Sequence, residues 1–249
     1  MAVPGMKRID DAIRMIVPDI THHRHATAEA FAQAVADRIG QQLRQGLDGR
    51  DAASLAVPGG STPGPIFDVL AKMQLAWPKV AVTLTDERWV PASDPSSNEA
   101  LLRRHLLQET SAGARVIGLY DASPKPSLGI AHAETALRQL PLPFDAVLLG
   151  MGGDGHFASL FPGLPDLAEG LNPESAAICI ASDAPVNGQP RLSLSLGFLL
   201  RSRVILLAIR GAGKLAVIER AKTAAASELP IAAILRQDRV PVEIHFTEA

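Results

Sequence analysis

The chain has 249 residues, of which 47% are hydrophobic, enough for a sizeable core and too many for a chain that is disordered as a whole. Its 24 Lys and Arg against 26 Asp and Glu give a formal net charge of −2, so there is no basic field to hold a nucleic-acid backbone or an anionic membrane, and an anionic ligand must be small and locally bound. One cysteine, Cys179, excludes an internal disulfide and a Cys-rich zinc module and points to a reducing, cytoplasmic setting.

In chain order, the opening residues carry Lys7, Arg8, Asp10, Asp11 and Arg14, which break any apolar run, so a soluble and unprocessed protein is expected. The THHRH segment at 21–25 invites a metal reading through His22, His23 and His25. Adjacent histidines in an extended segment point to opposite faces and no nearby carboxylate completes a set, so a surface run is expected there. Phe31, Val35, Ile39, Leu43 and Leu47 then recur every four residues and predict a covering helix.

The next segments alternate. Short Val-, Ile- and Leu-rich runs at 54–58, 80–85, 114–120, 144–150, 176–181, 204–209 and 242–246 predict strands, most of them apolar on both faces. Stripes of helical period fall between them near 64–75, 98–109, 128–140 and 212–224. The expected class is α/β, a Rossmann-like, mostly parallel sheet covered by helices on both faces. Without a repeat, low-complexity tract or charged linker, residues 1–249 read as a single α/β domain. Residues 161–190, rich in Pro and Gly, read as ordered loops at one end of the sheet, and Cys179 as a small buried side chain in an apolar strand.

Four places could carry chemistry. After the strand ending at Pro58, Gly59 and Gly60 let the backbone turn close to a ligand, Ser61 or Thr62 can cap the next helix, and Pro63 suits its first turn. Backbone N–H groups at that helix start favour a phosphate; an ordinary capped turn is the plain alternative. No Gly-Lys-Ser/Thr follows, so this is not a Walker A loop, nor is it a Gly-x-Ser-x-Gly elbow, and Ser61 is a poor nucleophile candidate. Next, Asp86, Glu87, Arg88 and Trp89 follow a strand directly and occupy the strand end where open α/β sheets bind ligands, although a solvated loop with a local ion pair would look the same.

Third, the strand at 144–150 ends in Gly150, Gly152, Gly153, Asp154, Gly155 and His156. Residues 150–155 formally fit Gly-x-Gly-x-x-Gly, but Pro162 arrives too soon for the long helix that a dinucleotide turn requires. The glycines instead bring out Asp154 and His156, a carboxylate that can orient an imidazole and an imidazole that can take a proton near neutral pH. A structural histidine in a Gly-rich turn competes with that reading. Fourth come two cations: Arg191 in QPRLSLSL, and Lys214, which follows a Gly-x-Gly turn at a helix start where it opposes the helix dipole and so suggests a use other than helix stability.

Taken together in order, GGSTP, TDERWVP with Ser96 to Asn98, LLGMGGDGHFASLFPG, PRLSLSL and GAGK resemble the 6-phosphogluconolactonases of the glucosamine-6-phosphate isomerase superfamily. The resemblance runs from about residue 55 to 225, and the block around His156 is its most specific part. It implies a Rossmann-like fold with one site at the carboxyl ends of the strands, hydrolysis of 6-phosphogluconolactone to 6-phosphogluconate, and no cofactor or metal. It also implies that His156 is the general base with Asp154 beside it, and that Ser61 with the Gly59 and Gly60 turn, Arg88, Arg191 and Lys214 contact a small sugar-phosphate lactone. The related deaminases carry a Glu for ring opening where this chain has Phe161, and an apolar ring cannot relay a proton. A non-catalytic sugar-phosphate sensor and a dinucleotide-dependent oxidoreductase are the readings from other classes.

Overall fold

The computed structural model describes residues 20–186 and 188–249; the expectations drawn from the opening charged segment lie outside them. The elements in order are β1 (Ile20–His25), α1 (Ala28–Arg50), β2 (Ala53–Val57), α2 (Pro63–Leu70), β3 (Val80–Leu84), β4 (Asp86–Arg88), α3 (Asn98–His105), β5 (Arg115–Ile117) and α4 (Pro126–Leu137). They continue with β6 (Ala146–Leu149), α5 (Leu167–Gly170), β7 (Cys179–Val186), β8 (Gln189–Leu194), α6 (Leu196–Leu199), β9 (Ile205–Arg210), α7 (Ala212–Ala221), α8 (Ile231–Arg236) and β10 (Val242–Thr247).

Seven strands form the main sheet in the order β1-β10-β9-β6-β2-β3-β5, with every pairing parallel. Every residue of β2, β3 and β6 is buried, so both faces of the sheet are covered, as their two-sided apolar sequences require. The long helix α1 buries the predicted stripe: Phe31, Val35, Ile39 and Leu43 are all at most 2% exposed. Thr27 starts it by accepting the Ala30 N–H at 3.1 Å, and Asp51 ends it in the left-handed region with φ of 55°.

The sheet departs from expectation at two strands. The apolar run at 176–181 does not enter the main sheet; it starts β7, which pairs antiparallel with β8, and β8 pairs antiparallel with β4 in a separate three-stranded sheet. The THHRH segment takes the vacated seventh place as edge strand β1, parallel to β10. Its polar side chains masked a strand because an edge strand buries little: four of its six residues are exposed. The irregular 161–190 stretch is likewise not all loop, since it holds α5 and most of the β7–β8 hairpin, which turns at Gly188 with φ of 89°. Among the described residues no helix is long and apolar enough to cross a membrane.

Candidate active site

The strand order places the cleft. From β2 the chain builds outward through β3 and β5 on one side, and from β6 through β9 and β10 on the other, so the order reverses between β2 and β6. Loops leaving the carboxyl ends of those two neighbours diverge and leave a crevice. Those loops are the Gly59–Gly60 turn and the Gly150–His156 turn, and the crevice between them, of about 200 Å³, is lined by Gly59, Gly60, Ser61, Thr62, Arg88, His156, Arg191 and Lys214. Five segments separated in sequence thus converge, and Asp154 joins them through His156.

Backbone geometry explains both glycine turns. Gly60 has φ of 92°, and a Cβ on Gly59 would fall 1.7 Å from Oδ1 of Asn98, so neither position accepts a side chain without rearrangement. Thr62 occupies the cap position of α2 but makes no side-chain capping bond, which corrects the expectation of a capped turn. The amides of the first turn of α2 have no intrahelical acceptor and lie beside the cleft.

In the second turn, the carbonyl of His156 accepts the Gly152 N–H at 2.9 Å and that of Gly152 accepts the Gly155 N–H at 3.1 Å, curling the chain so that Asp154 and His156 meet. Nδ1 of His156 lies 2.5 Å from Oδ1 of Asp154, and the His156 N–H donates to the same oxygen at 3.2 Å. With its proton on Nδ1, the imidazole presents the Nε2 lone pair to a ligand. A Cβ on Gly152 would lie 2.2 Å from the imidazole, so this glycine makes the room the ring occupies. The ring also packs on Phe161, centroid to centroid 3.9 Å. The next helix after this turn is α5, four residues long and beginning at Leu167, so the structure lacks the helix a dinucleotide turn needs.

The cations arrive on three elements: Arg88 ends β4, Arg191 is its register partner on β8, and Lys214 is the third residue of α7, after Gly211 at φ of 87°. Arg191 is 8% exposed and its Nη1 lies 3.9 Å from Asp86, while its guanidinium sits 5.4 Å from the Phe161 ring centroid. Burial lowers the Arg191 pKa, with Asp86 opposing that shift, and burial followed by the neighbouring Arg210 lowers that of Lys214. Three cations against the single carboxylate of Asp86 line the cleft, an excess suited to an anion.

Three more residues of the TDER and SSN segments, given no ligand contact by the sequence, contribute here. Asp86 lines the cleft and is held by hydroxyls, accepting from Ser159 at 2.6 Å and Thr85 at 3.2 Å. Asn98 also lines it, donating Nδ2 to the Asp86 carbonyl at 2.8 Å while its buried Oδ1 has no hydrogen-bond partner. Glu87 is 1% exposed and clasps the start of α3: its carboxylate accepts the amides of Arg88, Asn98 and Glu99 at 2.7, 2.7 and 2.8 Å and the Ser97 hydroxyl at 2.9 Å. Burial pushes its pKa up to about 7 against those four donors. The signal was the TDER and SSN pair itself, in which only Arg88 was assigned a ligand contact.

A family model described as glucosamine-6-phosphate isomerases/6-phosphogluconolactonase matches residues 26–242. The chain belongs to that family. Within the family it is 39% identical over 225 residues to a 6-phosphogluconolactonase of Rhizobium meliloti, covering 90% of this chain and 97% of the relative. It is 44% identical over 200 residues to a 6-phosphogluconolactonase of Caulobacter vibrioides, covering 78% and 82% respectively. A crystal structure of a 6-phosphogluconolactonase from Shewanella baltica superposes with a TM-score of 0.88 at 37% identity, covering 93% of this chain and 99% of that one. The family match spans the cleft-forming segments from Gly59 to Lys214.

Proposed function

We propose that this chain is a 6-phosphogluconolactonase, hydrolysing 6-phospho-D-glucono-1,5-lactone to 6-phospho-D-gluconate in the oxidative pentose phosphate pathway. Its working unit is a single α/β domain in the cytoplasm, and its partner is the small sugar phosphate rather than a nucleic acid. The names of its relatives support the reaction, and one observation carries the residue roles: an imidazole oriented by a carboxylate at 2.5 Å shares a cleft with three cations. Nε2 of His156 takes a proton from water as the water oxygen attacks C1 of the lactone, and the carbonyl oxygen becomes an oxyanion. Arg88 or the amides of the glycine turns receive that charge. The intermediate then collapses, the bond from C1 to the ring oxygen breaks, and the imidazolium returns its proton to the departing oxygen as the product carboxylic acid forms and ionises.

Arg191, Lys214 and the start of α2 with Gly59, Gly60, Ser61 and Thr62 hold the phosphate. That binding is remote from C1 and fixes the lactone relative to the base. Phe161 stacks on His156 where the deaminases place a carboxylate, which favours ester hydrolysis over sugar ring opening. The test is acid release from the phosphorylated lactone by the purified chain, with the spontaneous rate subtracted. Replacing His156 with Ala should lower turnover by about two orders of magnitude or more and leave product affinity little changed. Full activity in that variant removes His156 from the mechanism. No acceleration by the wild type, or ammonia release from glucosamine 6-phosphate, overturns the assignment.

A further inference from the structure

Strands β1 and β10 build a second polar cluster at the far edge of the main sheet, away from the β2–β6 crevice. His23 and His245 are register partners across the parallel pair, and Glu243 precedes His245 by two residues, so all three side chains share the face on which α1 packs. Nε2 of His23 lies 4.0 Å and Nε2 of His245 lies 3.8 Å from Oε2 of Glu243, with the two imidazoles stacked at 4.6 Å. His245 is 4% exposed, yet its buried Nε2 has no hydrogen-bond partner, an expensive arrangement for a polar atom.

Two neighbours prepare these atoms as ligands. Arg38 from α1 donates to both oxygens of Glu243, at 2.8 to 3.1 Å, keeping the carboxylate ionised and fixed while Oε2 still faces the imidazoles. Nε2 of His25 is 3.1 Å from Nδ1 of His245, so that ring nitrogen is engaged and the buried, unpartnered Nε2 is the atom of His245 left to ligate. We propose that His23, Glu243 and His245 form a binding site for a divalent transition-metal ion of the zinc class, which clasps edge strand β1 to β10. The three donor atoms lie within 4.8 Å of one another. A tetrahedral ion with bonds of about 2.0–2.2 Å needs them about 3.3–3.5 Å apart, a closure within reach of the exposed His23 ring.

The experiment is calorimetric titration of the chelator-treated full chain with zinc chloride, paired with melting curves. The wild type should bind one ion per chain and melt at higher temperature with zinc. His23→Ala and Glu243→Gln should weaken binding by about tenfold or more and abolish the zinc-dependent shift. His22, on the opposite face of β1, supplies the control, and His22→Ala should bind as the wild type does. Because His23 is exposed, its variant should fold, and it should retain lactone hydrolysis in the absence of zinc. No saturable binding, equal affinity in His23→Ala, or displacement of the ion by 6-phosphogluconate, which would locate it in the cleft, overturns the proposal.

Discussion

Gly152→Ala tests the catalytic reading without removing any functional group. The added Cβ would lie 2.2 Å from Cε1 and Nδ1 of His156 and 2.5 Å from Oδ1 of Asp154. Ordinary carbon contacts begin near 3.5 Å, so the imidazole must retreat by about 1.3 Å. Phe161 already packs on the ring with centroids 3.9 Å apart, which limits the room for that retreat. The ring must therefore rotate, and the 2.5 Å bond to Asp154 breaks with it. A misplacement of about 1 Å at a reacting group costs on the order of a hundredfold, so kcat should fall by about that factor. KM for the phosphorylated lactone should hold, because the cations stand on other elements. Gly152 does not have a positive φ, so Ala adds no backbone strain and the variant should fold. Gly153→Ala is the control, since a Cβ there meets nothing within 4 Å. The decisive readout is the cycle with His156→Ala: the double variant should be no slower than His156→Ala alone, because there is no longer a base to displace. Wild-type kcat in Gly152→Ala, or additive losses in the double variant, would refute the reasoning.

Lys214→Ala should raise KM for the phosphorylated lactone by about tenfold, the scale of a lost charge-assisted hydrogen bond, while hydrolysis of the unphosphorylated lactone barely changes; equal effects on both substrates would remove Lys214 from phosphate binding. Arg191→Ala should show the same selectivity together with a lower melting temperature, because it leaves the buried Asp86 without its cation at 3.9 Å; unchanged melting would disprove that coupling. For Glu87, burial raises the folded-state pKa from 4.5 to about 7, so the folded chain holds this proton over a range in which the unfolded chain has lost it. Its contribution to stability is therefore full at low pH and is lost as pH rises toward 7. Urea unfolding at the two ends of that window should show the wild type losing at most about 3 kcal/mol relative to Glu87→Gln, at about 1.4 kcal/mol per pKa unit, and a constant difference would contradict this. Phe161→Glu should lower lactone hydrolysis and release no ammonia from glucosamine 6-phosphate; ammonia release would show that one carboxylate suffices for deamination.

The central strands were legible because burial on both faces leaves a one-letter signature: ASLAV, VAVTL and AVLL carry almost no polar residues and all lie inside. The glycine turns were legible because few residues other than glycine tolerate such approaches, and both fell where expected. Strand β1 was hidden, since an edge strand with exposed polar side chains has no apolar code, and its partner β10 is more than 200 residues away. Distance along the chain also concealed Glu243, the carboxylate that the THHRH segment lacks locally. The 176–181 run was assigned to the wrong sheet because hydrophobic content reports burial and not partner; β7 is buried at its start against a second sheet that alternation alone could not announce. Glu87 sits in a segment that a solvated strand end would match, because three of its four hydrogen bonds come from a helix start that the chain reaches only at Ser97.

That second sheet also explains how the site can combine a base with cations. Arg88 and Arg191 face each other across β4 and β8, and placing two guanidinium groups as register partners is costly unless an anion lies between or beside them. Asp86, two residues before Arg88 on β4, supplies part of that compensation to Arg191 at 3.9 Å. A phosphate bound beside the pair would add to that compensation, which is the place the proposed reading gives it. Phe161 touches both partners: its ring centroid lies 3.9 Å from that of the His156 imidazole and 5.4 Å from the Arg191 guanidinium. The guanidinium is held by the ring face, and the imidazole gains a flat wall that fixes its plane. A carboxylate at the same position could pair with the Arg191 guanidinium and compete with a phosphate for it. In the proposed mechanism one aromatic residue therefore contacts both the imidazole assigned as base and a cation assigned to the phosphate without ion-pairing with either, which suits the cleft to a phosphorylated ester better than to an amino sugar.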